Sequence, residues 1–328
     1  MPRTALPNLA LIATGGTIAG AAASATDVVG YTAGTLGADT LLAAVPQLRE
    51  LANIRAEQLF NLDSKDMGPG HWLALAQRVQ ALAQDDGIDG IVITHGTDTL
   101  EETAAFLALT VVTTKPVVLT AAMRPATALS ADGPMNLYEA VSVAAHGESV
   151  GRGVLVSFAG EIHAALGLCK SHIQRLAAFV NDTTGPIGRS HPVRYFAPVP
   201  SGKAARFAIP PEAAPLPRVD ILYVGAGTSP DLLDIVTSAG ARGIVLTLAG
   251  NGSMPATWED AVRRTTAAGI PVIRASRAGA GGVGPKAQDS DWGTHAAGGL
   301  PASQARVALM LALTSPNSTT LDRLFGSY

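Results

Sequence analysis

The sequence predicts a two-domain α/β protein, and three features of the chain lead to this prediction. Short apolar runs alternate with segments of helical period, which is typical of a parallel-rich sheet flanked by helices. A proline-rich stretch at residues 191–217 interrupts this alternation and is expected to lack regular structure. The chain has 328 residues, of which 47% are hydrophobic, and is long enough to form two cores.

The first domain is predicted to cover residues 1–190 and to be the larger. Each of its apolar runs is short and is bounded by turn residues, so each is predicted to be a buried strand. The amphipathic segments between the runs are predicted to be helices. The predicted strands are residues 9–13, 88–94, 117–120 and 153–158, and the predicted helices are residues 72–83, 101–109 and 134–145.

Residues 191–217 carry seven prolines and are interpreted as a linker between the domains. A smaller C-terminal domain is predicted for residues 218–328, where strand and helix patterns alternate again. Its predicted strands are residues 220–224, 243–248 and 271–275, and its predicted helices begin at residues 231, 255 and 303. This order predicts a second, doubly wound α/β unit.

Charge and cysteine content argue against several kinds of partner and site. The formal net charge is -3 and the basic residues are scattered, which disfavours nucleic acid and membrane surfaces as partners. A single cysteine, Cys169, cannot form an internal disulfide, and the histidines lack the spacing of zinc motifs. No apolar run approaches the roughly 20 residues that cross a bilayer. We therefore expect neither a metal nor a membrane segment.

The N-terminal region has some features of a secretory signal peptide. An apolar run at residues 9–13 precedes small residues at 23–25, where a cleavage site could lie. Cleavage there would remove residues 8–20, which we interpret instead as a buried strand that ends in a glycine turn. The sequence therefore predicts a cytoplasmic protein.

Ligands of open α/β sheets bind beyond the carboxyl ends of the strands, so the residues after each strand are candidates for chemistry. The first strand leads into TGGTIAG, residues 14–20. The paired Gly15 and Gly16 permit a sharp turn that presents the hydroxyl of Thr17 at the strand end. Thr17 is thus a candidate nucleophile. The same spacing also suits a tight turn in which the threonine only satisfies backbone groups.

A second candidate segment, HGTD, follows the strand predicted at residues 88–94. The next residues, TLEE, have the pattern of a capping box, so Thr97 and Asp98 are predicted to lie at a helix N-terminus. Backbone N–H groups and the positive end of the helix dipole favour a substrate carboxylate or an oxyanion there. In the alternative interpretation, Asp98 is only a helix-start acid and His95 only a hydrogen-bonded turn residue.

Lys170 follows a small-residue segment after the strand predicted at residues 153–158. A lone lysine is usually a solvated side chain. A lysine that folds back against Thr97 and Asp98 would instead relay protons for a threonine hydroxyl.

Glycine-rich segments raise the alternative of a dinucleotide site. Gly279, Gly281 and Gly284 have the G-x-G-x-x-G spacing and follow a predicted strand. In a dinucleotide site such a loop leads into a helix, but Pro285 and the polar residues after it do not have a helical pattern. An NAD-dependent oxidoreductase is therefore a less favoured class, and no cofactor is expected.

Two longer segments carry a resemblance to a known family. TGGTIAG at residues 14–20 and THGTDTLEET at residues 94–103 are similar to the two signature segments of bacterial-type L-asparaginases, which are threonine amidohydrolases. Shorter matches are VPQL at 45–48, DSKDM at 63–67, AMRP at 122–125, SADGP at 130–134 and GNG at 250–252. The resemblance extends over nearly the whole chain.

This resemblance implies hydrolysis of the side-chain amide of L-asparagine to L-aspartate and ammonia, without a cofactor and with side activity on glutamine. It implies a larger N-terminal domain with a mixed sheet and a smaller, flavodoxin-like C-terminal domain. It also implies a homotetramer of intimate dimers, with active sites between subunits.

The resemblance further implies a role for each matched residue. Thr17 would attack the amide carbon, and Tyr31, in a mobile lid at residues 20–37, would help to activate it. The second polar relay would consist of Thr97, Asp98 and Lys170. The substrate-binding residues would be Ser64, Lys65, Asp98 and Asn251, the last supplied by the neighbouring subunit.

Two positions depart from the family pattern. Lys65 follows the substrate-binding serine, where the family usually has glutamine or glutamate, and we expect it to turn toward Asp63, Asp66 or solvent. An acidic residue that the partner's C-terminal domain usually supplies has no clear match, and Asp289 is a candidate stand-in. A catalytically inactive amino-acid-binding protein on the same fold is the main alternative to an enzyme.

Overall fold

The computed structural model describes residues 5–27, 30–200, 207–211, 215–314, 321 and 324–325. The predicted lid, residues 20–37, is therefore described except for residues 28 and 29. The chain divides into two compact units, Met1–Ile209 and Pro210–Tyr328. Each unit consists of a sheet with helices packed on it, so the predicted two-domain α/β class is confirmed.

The larger unit is organised around one mixed sheet. Its strands are β1 (Asn8–Gly15), β2 (Asn53–Leu62), β3 (Gly90–Thr94), β4 (Val117–Thr120), β5 (Val154–Phe158), β6 (Glu161–Ala164), β7 (Leu168–Lys170), β8 (Phe179–Asn181), β9 (Gly188–Ser190) and β10 (Val193–Tyr195). Eight of them form a sheet in the order β10-β9-β6-β5-β4-β3-β1-β2, and β7 pairs with β8. The pairs among β1 to β5 are parallel, whereas β6, β9 and β10 join antiparallel. The expected mixed sheet is thus present.

Helices cover both faces of this sheet. They are α1 (Ala38–Ala43), α2 (Pro69–Gln84), α3 (Leu100–Thr110) and α4 (Gly133–Ala145). α1 and α4 pack on one face through Leu41, Leu137 and Val141, and α2 stacks Trp72 on Phe106 of α3 on the other. Because helices lie on both sides, β3 and β4 are buried along their whole length, which is why they read as continuous apolar runs.

The sequence patterns miss the strands that are short or half-exposed. β2 is an edge strand whose residues are intermediate or exposed, so it forms no apolar run. β6, β9 and β10 have only three or four residues, too few for a periodic signal. β10 also corrects the expectation that residues 191–217 lack regular structure, because its backbone pairs with β9. Residues 201–206 and 212–214 of that stretch lie outside the described residues.

The smaller unit has a parallel sheet in the chain order β11-β12-β13-β14. Its strands are β11 (Val219–Tyr223), β12 (Gly243–Leu248), β13 (Val272–Ser276) and β14 (Thr294–Ala296), and its helices are α5 (Asp231–Ser238), α6 (Ala256–Ala267), α7 (Asp289–Trp292) and α8 (Ala302–Ala312). Leu233 and Trp258 anchor α5 and α6 in the core. Across both units, the described part of the chain contains no helix long and apolar enough to cross a membrane.

Candidate active site

Four parallel strands, β2, β1, β3 and β4, end side by side at one edge of the large sheet. Gly15 pairs with Leu62, Ala13 with Thr94, and Thr94 with Thr120. The chain therefore leaves the sheet at the same level after each of these strands. The segments that leave it include the residues singled out in the two signatures and in DSKDM.

The turn after β1 is made by two glycines in a left-handed conformation. Gly15 has a φ of 102° and Gly16 a φ of 78°. A Cβ on Gly16 would collide with the backbone of Gly96, so the turn after β1 touches the turn after β3. Thr17 follows directly and is only 6% exposed. This close approach of two glycine backbones brings Thr17 to the segment that carries Thr97.

Thr17 and Tyr31 are joined by a hydrogen bond of 2.6 Å between their hydroxyl oxygens. Tyr31 belongs to the predicted lid. Next to it, Ala21 and Thr32 exchange two backbone hydrogen bonds, each 3.0 Å long. This pairing folds the segment back toward the turn after β1 and delivers the phenol to Thr17.

Lys170, at the end of β7, connects the two polar residues that follow β3. Its ammonium donates to Oγ1 of Thr97 at 2.8 Å and to Oδ1 of Asp98 at 2.5 Å. Thr97 is 5% exposed, whereas the side chain of Asp98 is 59% exposed. Because an ammonium can only donate, the hydroxyl proton of Thr97 is directed elsewhere. The arrangement predicted for Lys170 is therefore the one that the structure contains.

Glu101 holds this lysine in place, and the sequence patterns do not single it out. Its Oε2 accepts the backbone N–H of Lys170 at 2.5 Å, although the two residues are 69 positions apart. A glutamate in the first turn of a helix is ordinary because it complements the helix dipole. No local signal distinguishes this one from a solvated glutamate.

The helix after HGTD begins as predicted, but the prediction of a capping box is wrong. Thr99 is the N-cap residue of α3 and makes no side-chain cap. Its Oγ1 donates instead to the carbonyl of Ser64 at 2.7 Å, and Oγ of Ser64 accepts the N–H of Asp98 at 3.3 Å. The segment after β2 lies within reach of this helix start, and its carbonyl holds the Thr99 hydroxyl in an orientation in which the oxygen accepts no N–H of the helix. The result is that Ser64 is tied to Asp98.

Lys65 points toward Asp63, one of the directions expected for it. Its Nζ lies 2.8 Å from Oδ2 of Asp63, and its side chain is 67% exposed. The hydrogen bond and the charge of Asp63 raise the pKa of Lys65 above its usual value. The lysine is therefore a cation at the rim of the candidate site.

His95 is a buried structural residue whose protons can be assigned. Nδ1 lies 2.7 Å from the carbonyl of Gly96, which can only accept, so Nδ1 carries the proton. Nε2 is then the acceptor for the hydroxyl of Thr103 at 3.0 Å, and that oxygen accepts the indole N–H of Trp72 at 3.1 Å. This chain of hydrogen bonds fixes the turn before Thr97. It favours the interpretation of His95 as a hydrogen-bonded turn residue.

The burial of His95 predicts a pH dependence of stability. Burial lowers the pKa of His95 to about 4, against 6.5 for a free histidine. The unfolded chain therefore binds this proton first, and stability is full above pH 6.5 and declines as the pH falls toward 4. The slope from this group is at most about 1.4 kcal/mol per pH unit. Urea unfolding from pH 7 to 4 should give a shallower decline for His95→Gln; an unchanged slope would contradict the prediction.

Asn251 lies in the smaller unit, in the turn between β12 and α6. The glycines on either side have left-handed backbones, with φ 51° at Gly250 and φ 58° at Gly252. The N–H of Gly284 donates to Oδ1 of Asn251 at 2.8 Å. Since a backbone N–H can only donate, Oδ1 is identified as the acceptor, and Nδ2 of this exposed residue remains as a donor.

Asp289 is not a free acid, which corrects its suggested use as a stand-in for a partner's substrate-binding carboxylate. Oδ1 accepts from Nε of Arg274 at 2.6 Å and from Oγ1 of Thr294 at 2.5 Å. Oδ2 accepts from Nη2 of Arg274 at 2.6 Å and from the N–H of Lys286 at 2.7 Å. Burial acts to raise the pKa of Asp289, but these hydrogen bonds hold it below its usual value. With both oxygens occupied, it has no capacity for a substrate ammonium.

Comparison with known proteins places nearly the whole chain in one protein family. Residues 8–199 match the family model "Asparaginase, N-terminal", and residues 218–325 match "Glutaminase/Asparaginase C-terminal domain". Similar relatives include "L-asparaginase 2" of Bacillus subtilis, 41% identical over 327 residues, which are 98% of this chain and 87% of the relative. "Probable L-asparaginase periplasmic" of Haemophilus influenzae is 42% identical over 314 residues, 94% of this chain and 89% of the relative.

Among solved structures, the fold is similar to the crystal structure of a probable cytoplasmic L-asparaginase from Campylobacter jejuni. The TM-score is 0.92 and the identity 40%, with 98% of this chain and 100% of that chain covered. These matches confirm the resemblance carried by the two signature segments.

Proposed function

The chain belongs to the asparaginase family and is an amidohydrolase with L-asparaginase function, and from this premise we propose that Thr17 is its nucleophile. The observation that carries the proposal is the 2.6 Å hydrogen bond between Thr17 and Tyr31. Threonine is a weak nucleophile at its free pKa and needs a neighbouring group that removes its proton. The phenol is in position to do so.

The first step forms an ester. Oγ1 of Thr17 attacks the side-chain amide carbon of L-asparagine. Tyr31 accepts the hydroxyl proton of Thr17 through their hydrogen bond and donates its own phenolic proton to the leaving nitrogen. The carbon–nitrogen bond then breaks and ammonia leaves. The aspartyl group remains on Thr17 as an ester.

The second step returns the enzyme to its starting state. A water molecule attacks the ester carbon, aspartate leaves, and Thr17 recovers its proton. Thr97 is the residue that orients this water, since Lys170 donates to its oxygen at 2.8 Å and leaves its hydroxyl proton available. Asp98 balances the charge of Lys170 at 2.5 Å.

The α-carboxylate and α-ammonium of the substrate are held at the start of α3. Ser64 and the backbone N–H groups at this helix N-terminus bind the carboxylate, and the exposed carboxylate of Asp98 binds the ammonium. Asn251, contributed by a neighbouring subunit, donates from Nδ2 to complete the site. A site shared in this way requires at least a dimer, and the family resemblance supports a homotetramer of intimate dimers, which light scattering of the purified protein tests.

Ammonia release measured side by side on L-asparagine, L-glutamine and D-asparagine tests the proposed reaction. L-asparagine should be the best substrate, with slower release from glutamine, because one methylene changes binding by only about 1–3 kcal/mol. The alternative, an inactive amino-acid-binding protein, predicts binding of asparagine by calorimetry without any ammonia.

Lys65 is expected to weaken the binding of asparagine. It lies 2.8 Å from Asp63 and leaves the substrate ammonium to Asp98 alone. Lys65→Gln and Lys65→Glu should therefore lower KM severalfold with little change in kcat, because the added contact acts equally on ground state and transition state. Steady-state kinetics tests this.

Lys115→Gln is the matched control for the loss of one positive charge. Lys115 precedes β4 at the opposite edge of the sheet, where its ammonium donates to the carbonyl of Asp85 at 2.6 Å. The KM of the Lys115→Gln variant should equal that of the parent protein. An unchanged or raised KM in both Lys65 variants would mean that the lysine is a bystander or assists binding.

We propose a cytoplasmic location, which the similarity to a solved structure described as cytoplasmic supports. The apolar run that could pass for a signal sequence is the buried strand β1, and cleavage at residues 23–25 would remove it together with Thr17. Similar relatives include both a protein named periplasmic and one described as cytoplasmic. Fractionation of the producing cells distinguishes the two compartments.

A further inference from the structure

Arg274 is a fully buried arginine at the centre of the smaller unit, with an exposed fraction of 0%. Nε and Nη2 form a two-pronged ion pair with Asp289, each at 2.6 Å. Nη1 donates to the carbonyl of Gly252 at 2.9 Å, and Nη2 also donates to the carbonyl of Gly284 at 3.2 Å. The guanidinium thus joins two loops that are 32 residues apart in the chain, one after β12 and one after β13.

Those two loops are the ones that hold Asn251. Gly252 is its immediate neighbour, and Gly284 supplies the N–H that fixes its Oδ1 at 2.8 Å. A Cβ on Gly252 would come within 2.8 Å of Nη1 of Arg274, so the backbone beside Asn251 lies directly on the guanidinium. The orientation of the Asn251 amide therefore depends on the distance that Arg274 sets between the two loops.

We propose that Arg274 is a positioning residue that acts through Asn251, with Asp289 as the partner that keeps the guanidinium in its plane. The proposal rests on the proposed role of Asn251 as a donor to the substrate. A buried ion pair contributes little net stability relative to an apolar pair of the same size, because both charges lose their hydration. What an apolar pair cannot supply is a rigid set of donors that reaches two loops at once.

Asp289 accepts further hydrogen bonds besides those of its ion pair with Arg274, which supports a role in orienting the guanidinium. Thr294 and the backbone of Lys286 each donate to it in addition to the arginine. These contacts leave the carboxylate one orientation, and the carboxylate in turn leaves the guanidinium one orientation. Arg274→Lys would keep the positive charge but lose the paired hydrogen bonds to both oxygens of Asp289.

A double-mutant cycle tests the proposal with Arg274→Lys, Asn251→Ala and the double variant. Asn251→Ala should lower kcat/KM on L-asparagine on the order of tenfold or more, and Arg274→Lys should lower it by a similar factor. The double variant should be no worse than the more impaired single variant, because both changes remove the same contact. Multiplying effects would mean that Arg274 does not act through Asn251, and would overturn the proposal.

Two further variants keep the test decisive. Thr294→Val removes the 2.5 Å hydrogen bond to Asp289 with little change of volume, and it replaces Arg274→Lys in the cycle if that variant does not fold. It should lower kcat/KM a few fold in the parent protein and have no effect once Asn251 is alanine. Arg263→Lys is the matched control, since Arg263 pairs with Asp291 at 2.7 Å on the surface of the same unit and should leave kcat/KM unchanged.

The cycle separates failure of this inference from failure of the proposed function. If Asn251→Ala alone leaves kcat and KM unchanged, the proposed role of Asn251 is wrong and the inference falls with it. If Asn251→Ala is impaired and Arg274→Lys is folded but fully active, only the inference is overturned. Thermal unfolding of every variant identifies those that have lost the fold.

Discussion

Replacing Thr17 with alanine, or Thr97 with valine, is expected to abolish nearly all ammonia release while leaving the fold intact. In the proposed mechanism Thr17 supplies the attacking oxygen, and Thr97, which accepts a hydrogen bond from Lys170, orients the water, so each hydroxyl would serve a different part of one proton-relay unit. The loss in kcat should be on the order of a thousandfold or more for each variant. The double variant should lose little beyond either single change, because groups that act as a unit are not additive.

The measurement is steady-state ammonia release, with circular dichroism and thermal unfolding to verify the fold. Thr110→Val is the matched control, because Thr110 is buried at the far end of the helix that begins beside Thr97, and its hydroxyl donates to the carbonyl of Phe106 at 2.7 Å. This control should retain its activity. Substantial turnover by either active-site variant would refute the assignment of that threonine.

Gly16→Ala is expected to cost both stability and activity. The backbone of Gly16, with φ 78° and ψ -175°, lies in a region that is essentially restricted to glycine and costs an alanine about 1–3 kcal/mol. The added Cβ would also collide with the backbone of Gly96, and overpacking of this kind costs about 1–3 kcal/mol more. Relief of the collision must separate the turn of Thr17 from the turn of Thr97, so activity should fall on the order of a hundredfold.

Gly160→Ala separates the cost of the backbone conformation from the cost of the collision. Gly160 has a φ of 87°, and in the described part of the chain no atom beyond its two chain neighbours lies within 4 Å of the position of a Cβ, so this variant tests the cost of a positive φ without a collision. Urea unfolding should show a loss of about 1–2 kcal/mol for Gly160→Ala with full activity, and a clearly larger loss for Gly16→Ala. Equal losses in the two variants would show that the close approach of Gly16 and Gly96 does not matter.

The parts of the fold that were predictable are those encoded over a few neighbouring residues. β1, β3 and β4 are continuous apolar runs because they are buried on both faces, and α3 starts where the TLEE segment places it. β2 and β10 were missed because a half-exposed edge strand and a three-residue strand leave no periodic signal. The predicted capping box does not form because the Thr99 hydroxyl is oriented by its bond to a carbonyl of a distant segment.

The same distinction applies to the candidate site. The sequence by itself determined which residues stand at the strand ends, since the glycines at positions 15 and 16 and the helix start after Asp98 are local features. Only the tertiary structure decided which side chains meet. Lys170 reaches Thr97 across 73 positions, and Asp289 is committed to a buried arginine 15 positions away. Such contacts depend on how separate elements pack together, and no pattern within a short window of the chain specifies that.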